Sequence, residues 1–202
     1  MYLASVRNDT DEAIRIAENL IDQNVAGRLG SKAFALGVIA NRDLSAGRPD
    51  DAIARYLQVY PGLAANQLPI YVPQDSWHYL APSLYSALDL ARVYLAAGNT
   101  AGAEALLDSV EDELPYWQQG GNWSTAFAEV ELYALRGERD KALRALRAVV
   151  DEDVWKFWRW RVLHNPNLEV LQGDSEFQAI VEQMETRMAR ELENLEAMAE
   201  GA

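Results

Sequence analysis

Residues 90–115, LARVYLAAGNTAGAEALLDSVEDELP, contain two helical patterns joined by a short turn. Apolar side chains recur at steps of three and four on both sides of Gly98, which is the spacing of one face of an α-helix. Asn99 and Thr100 follow the glycine, and this order of residue types ends one helix and begins the next. The stretch therefore predicts two antiparallel helices that pack as a pair.

The same unit occurs four times along the chain. After each turn comes an alanine, which lets two helices approach closely, and then larger residues at helical spacing. These alanines are Ala13, Ala52, Ala103 and Ala142, separated by 39, 51 and 39 residues, and the longest step contains the proline-rich residues 61–82. Helical periodicity covers residues 13–21, 33–44, 84–95, 103–110, 126–135 and 142–150. No sustained period-two run lies between them, so the predicted fold class is all-α.

The repeated unit resembles the tetratricopeptide repeat. The match rests on Leu90-Ala91, Tyr94, Gly98, Ala103, Leu107 and Pro115. The first two units are more degenerate, and Asp43 stands where the second should carry an aromatic residue. The resemblance implies a right-handed α-α superhelix of helix pairs over residues 1–150, including the 61–82 loop. Residues 151–202 would then form an aromatic capping segment and a long C-terminal helix.

The C-terminal residues carry a second resemblance. Trp155, Trp158 and Trp160, followed by the sequence LHNPNL at 163–168, are similar to the closing element of repeat regions in bacterial signalling proteins. Such proteins carry winged-helix, nucleotide cyclase or kinase domains at their N-termini, and no signature of these occurs in this sequence. Because only residues 2–7 precede the first turn, we expect the chain to be the C-terminal part of a larger bacterial protein, from an unknown compartment.

Composition and motifs argue against several classes of function. Eighteen basic and 31 acidic residues give a net charge of −13, which repels a nucleic-acid backbone, and cysteine is absent. His78 and His164 have no metal-ligand spacing. Asp75 and His78 share the proline-rich loop, where a hydrogen bond that anchors the loop is favoured over a metal site or an acid/base pair. There is no phosphate-binding or nucleophile motif and no apolar run long enough to span a membrane. We expect no catalysis, no metal and no cofactor.

The leading functional prediction is a protein or peptide partner bound on the concave inner wall of the superhelix. First helices should present there Phe34, Val38 and Asn41, then Tyr85, Asp89 and Arg92, then Ser124, Phe127 and Glu131. Arg92 and Glu131 should face each other and form a salt bridge or share a ligand. The alternative is a small-molecule sensor in which the 61–82 loop, with Tyr71, Trp77, His78 and Tyr79, closes a pocket.

Two features near the C-terminus leave alternatives open. The tryptophans suit a terminal cap better than a ligand cage, and Lys141, Arg144 and Arg147 suit a solvated face better than a docking patch. A long helix begins at Asp174 or Ser175, and its apolar face includes Phe177, Ile180, Val181, Met184, Met188, Leu192 and Leu195. The second half of this face predicts a homodimer, and a solvated tail is the alternative.

Overall fold

The computed structural model describes residues 10–22, 29–68, 82–119, 125–151 and 158–200. Within these ranges there are eight α-helices and no strand. The helices are α1 Thr10–Asp22, α2 Leu29–Ser45, α3 Pro49–Val59, α4 Pro82–Ala96, α5 Thr100–Gln119, α6 Ala126–Leu135, α7 Arg139–Asp151 and α8 Ser175–Glu200. The helices α1, α3, α5 and α7 each begin a few residues before the repeated alanine, and all four alanines are buried.

Three of the turns have the same geometry, and in each of them a glycine adopts the left-handed backbone conformation. Gly47, Gly98 and Gly137 have φ angles of 69°, 77° and 71°, a region that costs any residue with a Cβ. In each turn the glycine N–H donates to the carbonyl three residues back, and the next N–H donates to the carbonyl five residues back. This double hydrogen bond ends the helix and sends the chain into its antiparallel partner.

In the second repeat unit, the buried carboxylate of Asp43 occupies the position where the next two units have a tyrosine. Asp43 is 0% exposed and accepts hydrogen bonds from Arg42, Arg48 and Arg55. At the equivalent positions, Tyr94 and Tyr133 pack against the apolar core. Burial disfavours ionisation of Asp43, but the bonds from Arg48 and Arg42 outweigh burial and lower its pKa. Three guanidinium groups thus replace the packing that a ring provides in the other units.

The apolar core continues from the helix pairs into the C-terminal residues. One cluster contains residues of the five helices α2, α3, α4, α5 and α6. A second contains residues of α6, α7 and the first half of α8, together with Trp158, Val162 and Leu168. Residues 158–171, which we call the covering segment, form the π-helical turn Arg159–Leu163 and the 3₁₀ turn Pro166–Leu171. The covering segment therefore shares a core with the last helix pair.

The long C-terminal helix begins where the sequence indicated. Asp174 Oδ1 accepts the backbone N–H groups of Glu176 and Phe177 at 2.8 and 3.1 Å, which makes Asp174 the N-cap of α8. Arg139 and Arg147 on α7 form ion pairs with this first turn. The first half of the apolar face is buried through Met184, whereas Leu192 and Leu195 are exposed.

The predicted fold class is confirmed: the protein is an all-α, TPR-like superhelix of helix pairs with a long C-terminal helix. Of the predicted loop 61–82, residues 61–65 form a 3₁₀ turn and residues 69–81 lie outside the described part of the chain. Among the helices described, none is both long and apolar enough to cross a bilayer.

Candidate functional site

The inner wall is built by the first helices α2, α4 and α6, and the structure brings seven predicted residues together on it. They are Phe34 and Asn41 on α2, Tyr85, Asp89 and Arg92 on α4, and Phe127 and Glu131 on α6. Six of them contact the covering segment directly, and Asn41 reaches it through Arg92. Val38 lines the same wall, and Ser124 lies outside the described residues. The wall is thus partly occupied by the chain itself.

Asn167 of the covering segment lies at the centre of this contact and is 2% exposed. Its Nδ2 donates to Asp89 Oδ1 at 3.0 Å and to Glu131 Oε2 at 2.8 Å. Its Oδ1 accepts from Arg92 Nε at 2.9 Å. Both amide protons and the carbonyl oxygen therefore have partners on the wall, as a buried amide requires.

The sequence predicted a salt bridge or a shared ligand between Arg92 and Glu131. In the structure the two side chains share Asn167, which accepts from the first and donates to the second. Within the described ranges, no direct ion pair joins them. Arg92 also donates from Nη2 to Asn41 Oδ1 at 2.6 Å, so its guanidinium is held from two sides.

The covering segment also places a cation, Arg161, against two aromatic rings of the wall. Arg161 is 5% exposed, and its guanidinium carbon lies 4.2 Å from the ring centroid of Tyr85 and 5.6 Å from that of Phe127. These distances are within the range of cation–π attraction. Because Phe127 is itself 1% exposed and Glu131 2%, this half of the wall is inaccessible to an outside molecule.

Burial raises the pKa values of two carboxyl groups on the wall, Glu131 and Asp89. Burial is the main reason why the pKa of Glu131 is raised to about 7, with Arg161 opposing the shift and Asp89 adding to it. Burial also raises the pKa of Asp89, against the opposing effect of Arg92. The site thus holds two acids whose ionisation burial disfavours, and the charge of Asp89 further disfavours the ionisation of Glu131.

A cavity of about 510 Å³ remains where the covering segment leaves the wall uncovered, beside α1 and α2. Its apolar lining comes from Ile14, Phe34, Val38, Trp160 and Pro166, and its polar lining from Asn41, Arg42, Asp89, Arg92, His164 and Asn165. Of the seven predicted wall residues, four line this cavity: Phe34, Asn41, Asp89 and Arg92. Tyr85, Phe127 and Glu131 lie under the covering segment instead.

Two contacts shape the cavity. The rings of Phe34 and Trp160 lie 4.4 Å apart, centroid to centroid, at an angle of 41°. Gly37 permits Asp89 to approach α2, because a Cβ at this position would lie 3.1 Å from Asp89 Oδ2. A side chain at position 37 would therefore push against a residue that binds Asn167.

The tryptophans have separate roles. Trp158 is 4% exposed and packs in the core with the last helix pair. Trp160 turns to the wall and lines the cavity, a position that the capping interpretation missed. Trp155, Trp123 and the side chain of Trp117 lie outside the described residues, as do Asp75, Tyr71, Trp77, His78 and Tyr79 of the predicted lid.

Sequence reasoning also missed Asn167 and Arg161 as wall contacts. The sequence offered little signal, because residues 158–171 mix apolar with polar side chains and nothing in their spacing distinguishes the polar ones that become buried. Once buried, such polar side chains need hydrogen-bond partners. Among the described residues, no group of three or more His, Asp or Glu side chains is arranged to hold a metal ion.

Comparison with known proteins supports a tetratricopeptide-like region in the middle of the chain. The family model described as tetratricopeptide repeat matches residues 84–109 and 123–148. These two stretches cover most of α4 with the first half of α5, and α6 with most of α7. No curated protein matches the chain. No solved structure matches it either.

Proposed function

We propose that this protein is a non-catalytic module that binds a protein or peptide partner on the uncovered part of its inner wall. The observation that carries the proposal is the cavity of about 510 Å³, which mixes aromatic, aliphatic and hydrogen-bonding side chains in a tetratricopeptide-like scaffold. Repeats of this kind generally present a preformed concave surface to proteins. We further propose that the module belongs to a larger bacterial signalling protein, as the C-terminal resemblance implies.

The partner must use the uncovered part, because displacing the covering segment is too costly. Val162 and Leu168 are 0% exposed and Leu171 is 2% exposed, and all three belong to the core of the last helix pair. Exposing side chains of this kind costs about 1.5–3 kcal/mol each. A peptide that displaced the segment would lose this free energy and the bonds of Asn167 before gaining any contact of its own.

The competing function is small-molecule sensing, and the cavity size favours it as a second candidate. Small-ligand pockets commonly enclose about 300–1,000 Å³, and the volume of about 510 Å³ lies within that range. The predicted lid, residues 69–81, lies outside the described residues, so the case for sensing depends on the cavity alone. In the first function the uncovered wall holds a protein or peptide, and in the second it holds a small molecule.

The test is selection of random 12-residue peptides displayed on phage against the immobilised full chain. We expect peptides with a shared motif whose binding changes the NMR shifts of α1, α2 and residues 160–166. Failure to select any sequence-specific peptide, together with binding of small molecules from a fragment library, would replace peptide binding by sensing. Any enzymatic turnover by the purified chain that disappears with His164→Ala would contradict the proposal that the module is non-catalytic.

We also propose that two copies associate through the second half of α8. Leu192, Leu195 and Met198 are 57%, 63% and 72% exposed, and they continue the apolar line that is buried as far as Met184. A second copy would bury this line, and large exposed apolar side chains aligned on one face are typical of interaction sites. The alternative is a solvated tail.

Light scattering at tens of micromolar tests the association. We expect twice the mass of the chain for the wild type and the monomer mass for Leu195→Glu. Val170→Glu is the matched control, since Val170 is equally exposed at 67% but lies outside α8. A monomeric wild type, or a dimer that tolerates Leu195→Glu, would contradict the proposal.

A further inference from the structure

The cavity has one strongly apolar side. Phe34 and Trp160 pack against each other there at 4.4 Å, and Ile14 and Val38 extend the surface. All four side chains are partly exposed, so they keep area that a ligand can cover. Tilted and edge-to-face ring arrangements are those that aromatic side chains prefer, which makes this side complementary to one more ring.

The polar lining of the cavity offers a fixed hydrogen-bond donor. Arg92 has five N–H groups, of which Nε binds Asn167 and one on Nη2 binds Asn41. The described residues provide no carboxylate within 4.0 Å of its guanidinium and no acceptor for the other three N–H groups. Because two amides already hold the side chain in place, a ligand acceptor would meet a donor that needs no rearrangement.

The charge around the donor indicates a neutral acceptor. Asp89 lines the same cavity as Arg92, so an incoming carboxylate would meet a carboxyl group as well as the guanidinium. Arg42, the other cation in the lining, is already paired with Glu18 and Asp43. A carbonyl oxygen accepts from Arg92 without adding a second negative charge next to Asp89.

We infer that this cavity is the anchor pocket for one aromatic side chain of the partner, whose main-chain carbonyl accepts a hydrogen bond from Arg92. The inference rests on the proposed peptide-binding function and specifies its chemistry. A volume of about 510 Å³ exceeds the space of one ring and accommodates the adjoining main chain. The covering segment supplies Trp160, so the pocket combines helix pairs with C-terminal residues.

The test uses N-acetylphenylalaninamide as the probe and the full chain labelled with ¹⁵N. We expect the Trp160 indole N–H and the Gly37 amide to shift saturably, with a Kd on the order of 1 mM for so small a ligand. N-acetylalaninamide should bind at least about tenfold more weakly, because it has no ring. N-acetylphenylalanine, the free acid, should bind no more tightly than the amide.

Two matched variants separate the pocket from other surfaces. Ala46 and Ala97 occupy equivalent exposed positions just before the turn glycines Gly47 and Gly98, but only Ala46 lines the cavity. Ala46→Trp should obstruct the cavity and abolish the shifts caused by the probe. Ala97→Trp should leave them unchanged. Thermal unfolding of both variants verifies that they fold.

Three results would overturn the inference: no shift of Trp160 or Gly37 at 10 mM probe (about ten times the expected Kd), equal binding of the alanine amide, or full binding by a folded Ala46→Trp variant. If the free acid bound more tightly than the amide, the inference that the acceptor is neutral would be wrong. If selected peptides bind the chain but leave Trp160 unshifted, the peptide-binding function survives and the anchor pocket fails. If the amide binds in the cavity and no peptide is selected, the proposed function fails and the aromatic site remains.

Discussion

Asp43 and Glu131 are both buried carboxylic acids, but their pKa values shift in opposite directions. Asp43 is surrounded by three arginines, which lower its pKa in spite of burial. Glu131 has only amide donors within hydrogen-bond distance among the described residues, and burial raises its pKa to about 7. Full ion pairing thus keeps the first acid charged, whereas the second gains a proton more easily in the folded state than in the unfolded chain. The two residues should therefore affect stability in opposite pH ranges.

Glu131→Gln should flatten the pH dependence of stability between pH 5 and pH 8. The folded state binds the Glu131 proton up to about pH 7, whereas the unfolded chain releases it near the ordinary value of 4.5. The associated stability is therefore fully present below pH 4.5 and is lost as the pH rises through 7, by roughly 3 kcal/mol. Urea unfolding at four pH values measures this slope. The matched control is Glu129→Gln on the same helix, which should keep the wild-type slope. An unchanged slope in Glu131→Gln would contradict the assignment.

Asp43→Ala should destabilise the protein by about 2–3 kcal/mol at pH 7, because it removes the shared partner of Arg42, Arg48 and Arg55. The arginines are partly exposed, so water limits the loss. Asp51→Ala is the control: it removes another partner of Arg48, but from a pair in which both side chains are about half exposed, and it should cost less than about 1 kcal/mol. Chemical denaturation of the two variants compares the values; equal losses would argue against a special role for the buried carboxylate.

At the scale of the helix, most of the structure could be predicted from the sequence because its determinants are local. Turn glycines, the repeated alanines and the N-cap Asp174 each act within a few residues, and the predicted helical stretches all lie within observed helices. The exchange of an aromatic residue for Asp43 was visible in the sequence, but its arginine partners were not. Two of those partners, Arg48 and Arg55, lie beyond the turn, and helical spacing does not specify which side chains meet across a pair.

The two halves of α8 should respond differently to the same kind of substitution. Met184→Ala should cost about 2–5 kcal/mol, because Met184 is 0% exposed in the core of the last pair. Leu195→Ala should change stability by less than about 0.5 kcal/mol, because Leu195 is 63% exposed. Thermal or urea unfolding at submicromolar concentration, where self-association is weak, provides the comparison. A large loss from Leu195→Ala under these conditions would mean that the end of α8 packs on its own chain.

At the scale of the whole molecule, the sequence predicted the inner wall but not what covers it. Phe34, Asp89, Arg92 and Glu131 follow from the repeat register, since equivalent positions of first helices share one face. The covering segment was interpreted as a terminal cap, and the part of it that crosses the wall could not be deduced from periodicity. Asn167 meets residues 75 and 78 positions away in sequence, and no local pattern encodes such a contact.

Asn167→Ala should destabilise the protein by about 3 kcal/mol or more, because it removes the common hydrogen-bond partner of the buried Glu131 and of the half-buried Asp89 and Arg92. Gln172→Ala is the control from the same part of the chain. It removes one neutral bond to the Val162 carbonyl at 3.1 Å and should cost about 1 kcal/mol. Denaturation measures both, and a loss from Asn167→Ala no greater than that from Gln172→Ala would contradict the central role of this amide.

The position of Asn167 late in the chain has a consequence for the order of folding. Helix pairs contain mostly short-range contacts and can form quickly, whereas the covering segment must close loops of 75 and 78 residues. During synthesis, α2, α4 and α6 are made before residue 167. Until then Asp89, Arg92 and Glu131 remain hydrated and the aromatic wall is bare. A nascent chain therefore passes through a stage in which the groove is open, and synthesis of the covering segment allows most of it to close.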